Sequence, residues 1–154
     1  NCSKCRFYNA GSSEEFGNII YSPQDEHHPL KPLSPYAASK VGARQIINVY
    51  RETYKIYAIQ GWLFNHEGTR RNENFVTRKI TDGIARIQLG LRDKIILGNL
   101  DTKRDWGYAP DYVESMWLML QQDAPDDYVI ATGKSHSVKD FVNEACKYLN
   151  MKID

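Results

Sequence analysis

The segment SPYAASKVGARQIINVYRETYKIYAIQGWLF, residues 34–64, sets the fold class because it joins a helix to a buried strand. Ser34 suits the N-cap and Pro35 suits the first helical position, so we predict a helix that runs to about Tyr54. Residues 56–64 are rich in β-branched and aromatic side chains, which favours a strand.

Short strands and helices alternate on both sides of this segment. The pattern of apolar and turn-forming residues predicts further strands at 6–10, 94–97 and 128–131, and further helices at 75–89, 110–122 and 138–149. Ser137 and Asp140 have the spacing of a capping box at the start of the last helix. Residues 65–74 and 99–108 are predicted to be polar loops. Strands that alternate with helices indicate an α/β protein.

The composition is that of an ordinary globular chain. The 154 residues are 42% hydrophobic and 25% charged, which allows a buried core and argues against disorder. The formal net charge of +1 gives no electrostatic reason to expect nucleic acid or an anionic membrane as a partner. No apolar run approaches the ~18 residues of a membrane span, and no apolar leader opens the sequence. We therefore expect no nucleic acid and no membrane among its partners.

The cysteines and histidines form no recognisable disulfide or metal pattern. Cys2, Cys5 and Cys146 are too few for a disulfide framework. The C-x-x-C at Cys2 and Cys5 lacks the second pair of ligands that a structural zinc site needs, and the adjacent His27 and His28 rarely converge on one ion. We expect reduced thiols, no bound metal and a cytoplasmic protein.

One candidate catalytic pair lies in the helix that begins after Ser34. Tyr36 and Lys40 are four residues apart, so their side chains share one helical face with Cβ atoms ~5–6 Å apart. A lysine ammonium beside a phenol favours the deprotonated phenol, which can act as a general base. The same spacing also arises by chance, and the alternative is that Tyr36 packs over the Lys40 stem on an exposed helix.

A second candidate group follows the strand predicted at 6–10. Ser12, Ser13 and Glu14 come soon after it, and α/β proteins place catalytic groups at the carboxyl ends of strands. A simple polar turn is the alternative for these three residues. No glycine-rich phosphate loop occurs in the sequence, since its ten glycines are scattered singly. If the chain uses a dinucleotide, the turn that cradles the phosphates is not in it.

Several longer blocks extend these two groups. They are FYNAGSSE at 7–14, FNHEGTRR at 64–71, NFVTRKI at 74–80, LGNLDTKRDWG at 97–107 and DYVESMWLMLQ at 111–121. Together with YAASK at 36–40, they resemble the GDP-mannose 4,6-dehydratase family of the extended short-chain dehydrogenase/reductases. The chain departs from the family pattern at Ser12, where threonine is usual, and at residues 68–69, where Gly-Thr replaces Ser-Pro.

The resemblance implies a fold and its ligands. Residues 1–64 would be the C-terminal part of a Rossmann-type doubly wound parallel sheet. Residues 65–154 would mostly form part of a small α/β nucleotide-sugar-binding domain that is interleaved with the sheet. The family's first four strands are missing from the sequence, so we expect an exposed sheet edge. The implied cofactor is NADP, the implied substrate is GDP-mannose, and the implied assembly of a full-length form is a homo-oligomer, either a dimer or a tetramer.

The resemblance also implies residue roles. The family oxidises the sugar C4 hydroxyl by hydride transfer, removes the C5 proton, expels water from C6 and returns the hydride to C6. The implied catalytic residues are Tyr36, as base for the C4 hydroxyl, Lys40, as partner of the tyrosinate, Ser12, which hydrogen-bonds the same hydroxyl, and Glu14, as base for C5. The implied cofactor contacts are Tyr36, Lys40, His66 and Arg71, and the implied substrate contacts are Ser13, Asn65, Lys79 and Arg104.

Two alternatives to this function stay open. The first alternative is that the chain is a truncated, non-catalytic remnant that at most binds a nucleotide-sugar through Asn65, Lys79 and Arg104. The second alternative is that it is a dehydratase for another nucleotide-sugar. NADP binding tests the first, and exchange of GDP-mannose for UDP- or dTDP-glucose tests the second. Taken without the resemblance, Lys79 and Arg104 are more simply explained as solvated surface cations.

The helix that carries Tyr36 and Lys40 also has an apolar stripe. Ile46, Val49 and Tyr50 recur at helical spacing. Such a stripe fits packing against a second copy across a two-fold axis, and it fits an intramolecular core equally well.

Overall fold

The structure, a computed structural model, describes residues 5–151. Its elements, in chain order, are β1 (Phe7–Ala10), a short 3-10 helix (Ser13–Glu15), α1 (Pro35–Tyr54), β2 (Ala58–Leu63), β3 (Asn65–Glu67), α2 (Val76–Gln88), β4 (Lys103–Tyr108), α3 (Ala109–Met119), β5 (Asp127–Ile130), β6 (Ser135–Ser137) and α4 (Val138–Tyr148). The mixture of helices with a parallel sheet confirms the predicted α/β class.

The described residues fall into two compact units. The first unit takes the chain up to His66 together with Gly107–Gly133, and the second takes Glu67–Trp106 together with the chain from Lys134 onward. Helix α3 and strand β5 therefore belong to the first unit, although they come late in the sequence.

The first unit is built on a three-stranded parallel sheet in the order β1-β2-β5. The central strand β2 is buried at all 6 positions, because helices cover both of its faces. Gln60 bonds to α1, whereas the next residue, Gly61, faces Met119 of α3, as expected when successive residues point to opposite faces. Asn9, Gln60 and Asp127 are register partners that form one row across the three strands.

Helix α1 turns a polar face toward this sheet. The side chains that bond to the sheet or to the turn after β1 are Lys40, Arg44, Asn48 and Arg51. The predicted apolar stripe lies on the opposite side, where Ile46, Val49 and Tyr50 are 61%, 59% and 51% exposed. The intramolecular interpretation of that stripe is thus wrong for the described part of the chain.

A small apolar core organises the second unit. Ile80 and Ile84 of α2 are buried together with Val138 and Cys146 of α4. The second sheet has the strand order β3-β4-β6, and β4 and β6 pair antiparallel. Within residues 5–151, no helix combines the length and apolar character needed to cross a membrane.

The capping box predicted at the start of α4 is confirmed. The Ser137 hydroxyl oxygen accepts a hydrogen bond from the Asp140 amide at 3.0 Å, and the Asp140 carboxylate accepts one from the Ser137 amide at 2.8 Å. Hydrogen bonding to Ser137 holds the pKa of the Asp140 carboxylate below its usual range. The Ser137 side chain has the larger effect and the Ser137 backbone the smaller one.

Three segments differ from their predictions. Residues 94–97, predicted as a strand, have no regular structure, because Ile95 and Leu97 pack on the second unit's core instead of pairing. Ile95 occupies the space that a side chain at Gly83 would need. Residues 99–108, predicted as a loop, contain β4, and residues 65–74 begin with β3. Strand β4 has a polar sequence without the apolar pattern that predicts a strand. Its pairing with β6 depends on backbone groups rather than on apolar side chains.

The Tyr8 hydroxyl yields a prediction about alkaline pH. It is buried without a hydrogen-bond partner among the described residues. Burial raises the pKa of Tyr8 to about 12, although the Arg44 charge acts in the opposite direction. We expect tyrosinate absorbance to show a late ionisation that Tyr8→Phe removes. The folded pKa exceeds the unfolded one, so this phenol's contribution to stability is complete below pH ~10 and is lost as the pH rises toward 12.

The control for this titration is Tyr148→Phe, because Tyr148 is 86% exposed on α4. This variant should keep the late ionisation. A late step that survives Tyr8→Phe would show that another tyrosine produces it.

Candidate active site

The carboxyl end of β1 carries a closed polar turn. Ser12 caps the 3-10 helix, because its hydroxyl oxygen accepts a hydrogen bond from the Glu14 amide at 3.2 Å. In return, the Glu15 carboxylate accepts one from the Ser12 amide at 2.7 Å. This arrangement uses Glu15 for capping and leaves the Glu14 side chain exposed at the strand end. Glu14 is therefore the acidic group of the turn that a ligand can reach.

The first turns of α1 lie beside the same strand end. The Lys40 ammonium donates a hydrogen bond to the carbonyl oxygen of Ala10, the last residue of β1, at 2.9 Å. The Lys40 nitrogen is also 5.6 Å from the centre of the Tyr36 ring, and Tyr36 is 55% exposed. This one lysine links the helix that carries the accessible phenol to the strand that precedes Ser12.

A third group follows the central strand. Asn65 and His66 come soon after β2, and the carboxyl ends of parallel strands lie at one edge of a sheet. The His66 Nδ1 lies 3.0 Å from the Phe64 carbonyl oxygen. Because a carbonyl only accepts, Nδ1 must carry the hydrogen, which leaves Nε2 available to accept a hydrogen bond when the ring is neutral.

The His66 ring is held in place by an aromatic neighbour that the sequence did not indicate. Tyr112 of α3 stacks on it with ring centres 4.9 Å apart. Tyr112 is buried, and its ring lies where a side chain at Gly107 would be. Gly107 thus allows the Tyr112 ring to lie close to the backbone. In the sequence, the sign of this contact is a glycine followed by a tyrosine five residues later.

Three candidate residues lie in the second unit. The Arg71 Nε is 3.1 Å from the Glu67 carboxylate, and its guanidinium lies 3.6 Å from the centre of the Phe75 ring. Lys79 and Arg104 are exposed, and Arg104 donates a hydrogen bond to the Lys103 carbonyl oxygen at 2.8 Å. Exposed cations of this kind suit a diphosphate, whereas Arg71 is fixed by its own unit before any ligand arrives.

The structure therefore distributes the candidate residues between the two units. Those of the first unit are Ser12, Ser13, Glu14, Tyr36, Lys40, Asn65 and His66, and those of the second are Arg71, Lys79 and Arg104. The roles that the resemblance implies for them stay predictions. Residues 5–151 contain no group of three side chains able to hold a metal ion. The C-x-x-C lies partly outside the described residues, because Cys2 precedes them.

The fold has counterparts among solved structures. The structure of RMD from Pseudomonas aeruginosa complexed with NADPH superposes with a TM-score of 0.92 at 21% identity, over 97% of this chain and 52% of that one. This likeness confirms the Rossmann-type α/β fold.

The chain belongs to the GDP-mannose 4,6 dehydratase family, whose sequence model matches residues 1–154. It is 53% identical over 148 residues to the GDP-mannose 4,6 dehydratase of Drosophila melanogaster, covering 96% of this chain and 38% of that protein. It is 56% identical over 146 residues to GDP-mannose 4,6 dehydratase 1 of Arabidopsis thaliana, covering 95% and 40%. The predicted family resemblance is confirmed, and the chain spans about two fifths of the length of these relatives.

Proposed function

We propose that this chain carries the catalytic residues of a GDP-mannose 4,6-dehydratase, a lyase that converts GDP-mannose to GDP-4-keto-6-deoxymannose with NADP. Within this family member, the observation that carries the proposal is the hydrogen bond from Lys40 to the Ala10 carbonyl oxygen. That bond holds the Tyr36 helix at the strand end that bears Ser12 and Glu14.

The residues at this edge of the sheet fit the ribose end of a nicotinamide cofactor. The Lys40 ammonium has three N–H donors and gives one of them to Ala10, so two are left for ribose hydroxyls. The His66 Nε2, soon after the neighbouring strand β2, offers an acceptor. The sequence has no glycine-rich turn that would hold the pyrophosphate. The residues present therefore fit the nicotinamide half of the cofactor only. When bound, NADP would accept the C4 hydride and return it to C6.

The chain's own residues supply the proton transfers. Tyr36 takes the proton of the C4 hydroxyl, while Lys40 stabilises the phenolate and Ser12 hydrogen-bonds the same oxygen. The ketone at C4 then acidifies the C5 hydrogen, which Glu14 removes. Glu14 passes that proton to the C6 hydroxyl, which leaves as water. The proton held by Tyr36 is available for C5 when hydride returns to C6, so the reaction balances.

The substrate's diphosphate would bind to exposed cations. We assign this role to Lys79 and Arg104, and we assign sugar contacts to Ser13 and Asn65. Arg71 would contact the cofactor. The exposure of Lys79 and Arg104 supports these assignments, since an exposed cation is accessible to an anionic ligand.

We also propose that the protein assembles as a homo-oligomer through α1. The support is the exposed stripe of Ile46, Val49 and Tyr50, which has the polar face of the same helix on its other side. An apolar helical stripe of this kind matches a self-complementary, two-fold interface.

The test uses the protein as its own gene encodes it. Its intact mass is measured first by mass spectrometry, so that the length of the chain under test is known. Incubated with NADP and GDP-mannose, it should form a product that has lost one water and carries a carbonyl, as mass spectrometry and hydrazone formation would show. UDP- and dTDP-glucose should give no product. Turnover of either one in place of GDP-mannose would assign another nucleotide-sugar, and failure to bind NADP would leave a binding module.

A further inference from the structure

A pair of opposite charges is buried beneath the turn that carries Ser12 and Glu14. Glu15 is fully buried and Arg44 is 1% exposed. The Arg44 Nε donates a hydrogen bond to the Glu15 carboxylate at 2.6 Å, and its Nη1 donates one to the Asp127 carboxylate at 3.1 Å. Arg51 pairs with the other Asp127 oxygen, so two cations face two carboxylates. The Arg44 guanidinium also lies 3.5 Å from the centre of the Trp62 ring.

Polar groups continue from this pair across the sheet. The Asn9 side chain donates a hydrogen bond to the Gln60 side-chain oxygen, Oε1, at 3.1 Å. Gln60 donates in turn to the Asn48 side chain at 2.7 Å and to the Arg44 backbone carbonyl at 3.2 Å. Helix α1 therefore contacts the sheet through directional bonds along its length, where an apolar layer would be usual.

The type of contact determines how precisely the helix is placed. The hydrophobic effect is non-directional, so apolar contacts fix the position of a helix only through the fit of its side chains. Charge-assisted hydrogen bonds have preferred lengths and angles and so fix one arrangement. A buried ion pair is often no more stabilising than apolar residues of the same volume. Stability alone is therefore a weak explanation for placing charges here.

Glu15 connects the two halves of the candidate site. One of its oxygens accepts from the Ser12 amide at 2.7 Å, and the other accepts from Arg44. Arg44 lies one helical turn after Lys40, on the same face of α1. A single carboxylate thus joins the turn that bears the hydroxyl to the helix that bears the phenol and the ammonium.

We propose that Glu15 and Arg44 are positioning residues, which hold Ser12 and Glu14 in register with Tyr36 and Lys40. The proposal rests on the proposed function. It explains why the carboxylate of the turn next to Glu14 is fully buried while Glu14 itself is exposed.

The test compares Glu15→Leu, Arg44→Leu and the double variant in the protein as encoded. Arg44→Leu leaves the buried Glu15 carboxylate without its cation, and Glu15→Leu leaves Arg44 with Asp127 as its remaining carboxylate partner. Each single variant should therefore lower the melting temperature clearly. The double variant removes both charges and should recover most of that loss. Its kcat should nevertheless stay ~10²-fold below wild type, since a misplacement near 1 Å costs about that much, while the KM for GDP-mannose changes little. Recovery of kcat together with stability would overturn the proposal.

A second variant guards against loss of folding. Glu15→Gln keeps an oxygen that can accept from the Ser12 amide but loses the charge, so its kcat should fall between wild type and the double variant. The matched control is Asp82→Leu with Arg86→Leu, which removes an exposed ion pair of 2.7 Å on α2 and should leave kcat unchanged. A Glu15→Gln variant with wild-type kcat would contradict the proposal.

Amide exchange separates this proposal from the proposed function. The Ser12 amide is protected by its bond to Glu15, so its hydrogen exchange should accelerate in the double variant at a temperature where both proteins are folded. This measurement needs no turnover. If wild type lacks dehydratase activity, the proposed function fails and Ser12 exchange still decides whether the pair holds the turn. Unchanged exchange would overturn the positioning role even in an active enzyme.

Discussion

Tyr36→Phe should abolish oxidation of the sugar and leave GDP-mannose bound. The change removes one hydroxyl, and general-base catalysis contributes about 10²–10⁴-fold to rates. Tyr36 is 55% exposed at the start of α1, so the ring can stay in place without its oxygen. Binding should persist because the residues assigned to the diphosphate, Lys79 and Arg104, are untouched. Turnover is measured by product formation and binding by calorimetry.

The control for this variant is Tyr148→Phe, which removes a hydroxyl from another exposed helical tyrosine. Its turnover should equal that of wild type. Normal turnover in Tyr36→Phe would remove Tyr36 from the mechanism, whereas loss of GDP-mannose binding would show that the phenol serves the substrate complex instead.

Glu14→Gln should stop the reaction after the first step. Glutamine keeps the size of the side chain but is not a base, so the C5 hydrogen should remain while C4 is oxidised. We expect reduced cofactor to accumulate, and we expect no deuterium at C5 when the reaction runs in heavy water. The loss of overall turnover should again be about 10²–10⁴-fold. Cofactor absorbance follows the first step, and mass spectrometry follows the second.

Glu52→Gln is the matched control, because the Glu52 side chain is 78% exposed at the far end of α1. It should exchange C5 and turn over normally. Ordinary deuterium incorporation in Glu14→Gln would reject Glu14 as the base. Loss of C4 oxidation in the same variant would instead place this carboxylate in the first step.

The elements that the sequence predicted well are those determined by local chemistry. Helix α1 begins where Ser34 caps it, with a 3.1 Å hydrogen bond from the Ala37 amide, and it ends at Tyr54 as predicted. The strands β1, β2 and β5 follow from runs of β-branched and aromatic residues. In each case the local sequence pattern is enough to predict the element, although the strands also pair with distant ones.

The elements that the sequence missed depend on distant partners. Strand β4 has a polar sequence and pairs with β6 more than 25 residues later, which no local pattern reveals. The stretch 94–97 has the composition of a strand, but Ile95 fills the space beside Gly83. The sequence shows that residues 95 and 97 are apolar, but it does not show that they pack against α2 and α4.

The candidate site shows the same division. Ser12, Glu14, Tyr36 and Lys40 stand out in the sequence by spacing and resemblance, and the structure brings Lys40 to the end of β1. The charges of Glu15 and Arg44 gave no such signal, because charged helical residues usually face solvent. Only the three-dimensional pairing shows that these two are buried.

The capped conformation of Ser12 determines which part of its side chain can meet a ligand. Its hydroxyl oxygen already accepts from the Glu14 amide, so the part of the side chain most free to meet a ligand is its proton. A ketone is an acceptor without a proton of its own, whereas an alcohol must also place its hydrogen. Under the proposed function, a donor fixed in this way would favour the oxidised sugar over the alcohol that precedes it, and so would draw the first equilibrium forward.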